Sequence, residues 1–152
     1  MRTFLKTQPA FTLIEILLVV AAIAILASIV IIAINPTKQL GDTRNSARRV
    51  AVTTILDAVY QYSLDNSGSL PPAVAGLAPN TPTEICKTGG ICGPLVDLSP
   101  LTLNEKYITS IPVDPTNQSA NGVSYWISRT VNNRVTVSAP NAEQGAVISV
   151  TR

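Results

Sequence analysis

The chain has 152 residues, a formal charge of +2 and no histidine, about the size of one domain with an appendage. Without residues 1–10 it holds nine basic and nine acidic side chains, so neither part has the charge of a general polyanion binder. With no imidazole base and no close pair of carboxylates outside turns and helix surfaces, no acid–base set emerges; the chain reads as a non-enzyme without a cofactor.

Residues 1–10 form a short polar leader whose only charges are Arg2 and Lys6. From Ile16 to Ile34 the sole polar residue is Ser28, and a helix of that length spans roughly 28 Å, close to a bilayer's hydrocarbon core. Basic residues ahead of such a run hold the short N-terminus in the cytoplasm and send everything after Ile34 outward. That placement suits Cys86 and Cys92 to an oxidising compartment. The plain reading of the run is a single-pass anchor or an uncleaved signal sequence. Ser28 is expected to bond back to the helix carbonyl four residues earlier.

Glu15, at the mouth of the run, complicates that reading. A carboxylate at the centre of a membrane helix costs about 2.5–3.5 kcal/mol, and less near the interface. Were the chain cut between Ala10 and Phe11, the new amino group would lie one helical turn from Glu15. In apolar surroundings the two charges would favour pairing, and between neighbouring helices such a pair would set axial register.

After Asn35-Pro36 a helix break is expected, because proline lacks a donor and disfavours helix before it; Gly41 weakens the next turn. Ala47, Val50, Ala51, Ile55, Val59 and Tyr62 then recur at helical spacing, with Arg44, Arg48, Arg49 and Asp57 expected in solvent and Asn66-Ser67-Gly68 as the stop. The three arginines raise the possibility of nucleic acid, but a solvated face or inter-subunit ion pairs is the expectation.

Downstream, Ser99-Pro100 is expected to cap a short helix running towards Lys106, and Ile111 to Pro115 suits neither regular helix nor a central strand. Val123, Tyr125, Ile127 and Val131 share one face of a first strand. Val135, Val137 and Ala139 alternate after an Asn132-Asn133 turn, as do Ala146, Ile148 and Val150. The amphipathic helix is the cover for that sheet.

Cys86 and Cys92 enclose Gly89-Gly90, a loop flexible enough to close into a disulfide; two thiols without histidine fall short of a zinc site. Asp114, Asn117 and Asn121 are a thin calcium candidate, and no other metal set is expected.

Lys6 of the leader, Phe11-Thr12-Leu13-Ile14-Glu15 and the apolar run resemble the class III signal of type IV prepilins and of the pseudopilins of type II secretion. The similarity continues through Ala47-Arg48-Arg49, Asp57 to Tyr60, Tyr62 to Asn66 and Leu70-Pro71, and returns at Ile111 to Pro115. It is strong over residues 6–72 and elsewhere matches in plan. The resemblance implies an α+β, type IV pilin-like fold with a long N-terminal helix packed on a C-terminal antiparallel sheet. Its parts would be a leader (1–10), an apolar membrane and filament-core helix (11–35), an amphipathic second half (36–67) and a loop-rich globular head (68–152).

It further implies a structural subunit cut after Ala10 by a prepilin peptidase, N-methylated at Phe11, and polymerised with Glu15 paired to a neighbour's amino terminus. Alanine stands at Ala10 where the family usually has glycine. An inner-membrane platform and an assembly ATPase would be its other partners, with membrane lipid before assembly and nucleic acid not expected. The precursor would sit in the inner membrane and the product in an extracellular filament, where loops between Gly68 and Val123 would set adhesion and lateral contacts. A secretion pseudopilin and a membrane-anchored binding domain that never polymerises are the alternatives.

Overall fold

A computed structural model describes residues 11–116 and 119–152. The chain divides into two compact units, one ending at Gln39 and the other running from Leu40 to Arg152.

The first unit is dominated by helix α1, Leu13–Ile34. Its residues are almost all aliphatic, and none is buried by the chain. The helix is long and apolar enough to cross a membrane. Ser28 Oγ donates to the Ala24 carbonyl at 2.8 Å, the expected back-bond. Asn35 closes α1 in the left-handed region (φ 46°), a conformation asparagine tolerates. Pro36 then opens helix α2, Pro36–Asp65, at a position where its missing N–H costs nothing. The break at Pro36 is therefore one residue of non-helical backbone between two helices.

In the second unit, the remainder of α2 covers one face of a four-stranded antiparallel sheet in the order β1-β2-β3-β4. The strands are β1 Thr83–Cys86, β2 Gly122–Arg129, β3 Val135–Ser138 and β4 Ser149–Thr151, and a short helix α3, Pro72–Ala75, precedes them. The core joins Val52, Ile55, Leu56 and Val59 of α2 to Val123, Tyr125 and Ile127 of β2 and to Val135 and Val137 of β3, all fully buried. This is the α+β plan expected. β1 is the strand the alternation did not reveal. It is four residues long, bulged after Glu84 and bridged to Val96.

The buried stripe of α2 is rotated from the expected one. Gly41, Asn45, Arg48, Val52, Ile55 and Val59 face inward, whereas Ala47 and Val50 are exposed. Val131 is also exposed, because β2 ends at Arg129 and the chain turns through Asn133 (φ 60°) into β3. The helix stop is as expected, with Ser67 as well as Gly68 at positive φ and the Gly68 amide donating to the Ser63 carbonyl at 2.8 Å. Near Ser99 the cap differs. Helix α4, Ser99–Thr102, receives no side-chain cap from Ser99; the Asp97 carboxylate instead accepts from the Ser99 amide at 2.8 Å. A 3-10 turn, Leu103–Glu105, follows.

Candidate functional site

Two sets of residues carry chemistry, one in each unit. In the first, Phe11 and Thr12 precede α1, with Thr12 in extended backbone. The Thr12 hydroxyl caps the helix by accepting from the Glu15 amide at 3.3 Å. Glu15 thus occupies the third helical position, where unpaired amides and the helix dipole favour a carboxylate. The Thr-x-x-Glu spacing signals this half of a capping box in sequence, a local role for Glu15 distinct from charge pairing. Phe11 and Glu15 are both exposed. Ala10 lies outside the described residues.

In the second unit the central feature is Arg48, which was expected in solvent and is instead fully buried. Its Nε and Nη2 donate to Asp114 Oδ2 and Oδ1 at 2.7 and 3.1 Å, making a bidentate pair. Nη1 donates to Asn45 Oδ1 at 3.1 Å and Glu143 Oε1 at 2.9 Å, and Nη2 also to Thr116 Oγ1 at 2.9 Å. Burial is permitted because every arm of the guanidinium finds an acceptor, which offsets the desolvation of both charges. Arg44 clamps Glu143 from outside through two bonds of 2.6 Å, and Asn45 Nδ2 donates to the Glu143 carbonyl at 2.9 Å. One helix face thereby ties down both the segment ahead of β2 and the segment between β3 and β4.

The charges of the network follow from these contacts. Burial pushes the Asp114 carboxyl up, but the bonds from Arg48 and Thr116 outweigh it and hold the group below its ordinary value. Arg44 first, then Arg48, draw the Glu143 carboxyl down to about 2. The Tyr125 phenol is pushed up to about 12, by burial and then by the Asp114 charge. Arg49 is exposed, as expected.

The calcium expectation meets this arrangement directly. Asp114 is committed to Arg48 and Thr116, and Asn121 Oδ1 accepts from the Ile91 amide at 3.2 Å. Asn117 lies outside the described residues. Among the described residues no three His, Cys, Asp or Glu side chains gather to hold a metal.

Cys86 and Cys92 are joined as a disulfide, with Cα atoms 5.3 Å apart. Its loop is braced by the Lys87 amide, which donates to the Asn121 carbonyl at 2.7 Å. On the other flank of α2, Ala47, Val50 and Thr54 line a shallow apolar groove of about 400 Å³ with Pro112, Val113 and Pro115. The apolar residues assigned by spacing to the core thus form part of a surface.

No family model, curated protein or solved structure matches this chain.

Proposed function

We propose that the chain is the structural subunit of a type IV pilus. It would be stored in the inner membrane as a single-pass precursor, cut between Ala10 and Phe11, N-methylated, and polymerised into an extracellular filament. The observation that supports this reading is α1 itself, a 22-residue apolar helix with no residue buried by the chain. Such a surface requires lipid or other helices. Bundled copies of α1 would supply the second environment after the bilayer has supplied the first, and Glu15, in the first turn of the helix, would pair with a neighbour's amino terminus. The prepilin peptidase, the assembly platform and the ATPase are the partners this reading needs; no catalytic step is assigned to the chain.

The Thr12 cap favours a second reading, a plain membrane anchor in which Glu15 only completes the first turn. Glu15→Leu separates the two. Under the pilus reading the processed chain accumulates in the membrane and sheared surface material loses it, while Thr12→Ala leaves polymerisation in place. Unchanged filaments from Glu15→Leu would reject the role given to that carboxylate.

A further inference from the structure

Asn121-Gly122 forms the entry to β2, and the loop closed by Cys86 and Cys92 holds it from one side. The Lys87 amide donates to the Asn121 carbonyl at 2.7 Å and the Ile91 amide to Asn121 Oδ1 at 3.2 Å. Between these donors Gly90 lies so close that an added Cβ would stand 3.1 Å from the Asn121 carbonyl oxygen. Across the peptide bond the Gly122 amide donates to Ser119 Oγ at 2.9 Å, and Gly122 is the register partner of Cys86. The fold requires glycine at this position. A Cβ there would collide with Glu84 Oε1, an atom already held by the Ser124 amide at 2.9 Å.

We propose that Asn121-Gly122 is a deamidation site which the disulfide loop keeps intact, and that opening of the loop releases Asn121 to isoaspartate. Asparagine ahead of glycine is prone to this reaction, because no Cβ shields the attacking amide nitrogen. The Gly122 nitrogen attacks Asn121 Cγ; the N–Cγ bond forms, the Cγ–Nδ2 bond breaks, and ammonia leaves carrying the Gly122 amide proton. Water then opens the succinimide at either carbonyl, giving aspartate or isoaspartate. Ring closure needs the Asn121 side chain to swing over the next amide and its backbone carbonyl to turn. The Ile91 bond holds the first group, the Lys87 bond holds the second, and Ser119 occupies the proton of the nucleophile. The bridge closes the loop that bears Lys87, Gly90 and Ile91. Its reduction by a dithiol, itself oxidised to a disulfide, leaves two cysteine thiols and a loop held by hydrogen bonds alone. Isoaspartate adds a backbone carbon ahead of β2, so the loop cannot close on Asn121 in its former register. A transient opening thereby becomes a permanent mark on the chain.

The full chain in detergent micelles would be incubated at mildly alkaline pH in its oxidised form, with dithiothreitol, and in urea strong enough to unfold it. Peptide mass and isoaspartate-specific methylation would follow Asn121. Emission from Trp126, the single tryptophan of the protein, would show which samples stay folded. The oxidised chain should lose Asn121 most slowly and the urea-unfolded chain fastest. Dithiothreitol should speed the loss about tenfold or more, the scale of the hydrogen bonds given up, with emission still at the folded value. Ile91→Pro keeps the bridge and deletes the donor to Asn121 Oδ1, so it should speed the loss severalfold without reductant. Where reduction also unfolds the chain, Ile91→Pro decides the matter, its bridge being intact. An oxidised chain that reacts as fast as the unfolded one would overturn the proposal. So would a folded, reduced chain that reacts no faster than the oxidised one, or an Ile91→Pro chain that keeps Asn121 as long as the wild type does. The outcome is independent of polymerisation.

Discussion

Replacing Arg48 by methionine keeps most of the aliphatic length of the side chain and removes its charge. Asp114, whose side chain is fully buried, then keeps, among the described residues, the Thr116 hydroxyl and amide, at 2.7 and 2.8 Å. Breaking a buried pair from one side costs about 3–5 kcal/mol, because the remaining ion is buried without compensation. That is a large share of the roughly 5–15 kcal/mol that holds a domain together. With a urea slope of about 1–3 kcal/mol/M, the unfolding midpoint should fall by about 1 M or more. Trp126 emission of the full chain in detergent micelles follows the second unit alone. Arg48→Met/Asp114→Leu removes both charges and should recover most of the loss, since the apolar replacement of a buried pair is often neutral. A loss below about 1 kcal/mol in the single variant, or a double variant as unstable as the two singles added together, would refute the role given to the pair.

Three further outcomes follow from the same contacts. The Glu143 carboxyl is lowered from 4.5 to about 2 in the folded chain. Its contribution is therefore complete above about 4.5 and lost as pH falls towards 2; Glu143→Gln should flatten that acid limb in a thermal-midpoint titration. A Cβ at Gly41 would collide with the movable end of the Gln144 side chain and approach the Glu143 carboxylate, which Arg44 and Arg48 hold in place, so Gly41→Leu should cost about 1–3 kcal/mol of overpacking, less the ~1 kcal/mol that removing a helical glycine returns, by urea unfolding. Removing the disulfide by Cys86→Ser with Cys92→Ser should cost about 2 kcal/mol. Intact mass after alkylation without reductant should show no added groups in the wild type, and labelling of both thiols would contradict the bridge.

The stem was legible because a run of aliphatic residues has few interpretations, and Asn35-Pro36 and Asn66-Ser67-Gly68 break helices for local reasons that no packing overrides. The strands from Val123 and Val135 were legible through strict alternation. β1 was hidden because a bulge after Glu84 interrupts the period in a strand too short to show one. On α2 the two apolar residues Ala47 and Val50 drew the stripe to the wrong side. An arginine is ordinarily solvated, so Arg48 was not counted as an inward position. The line from Gly41 through Asn45 and Arg48 to Val52 has helical spacing throughout, and the small or polar residues on it are the sign of a close approach and a buried network. The two carboxylates that accept from Arg48 lie 66 and 95 residues away in sequence, beyond the reach of any local pattern.

The central claim concerns what becomes of α1, and the N-terminal peptide mass tests it most directly. Protein would be taken from whole cells and from sheared surface material, and its terminal peptide measured in each. A species beginning at N-methylated Phe11 in the sheared fraction is the predicted result. An intact Met1 confined to the membrane fraction would contradict the account and leave α1 as an anchor.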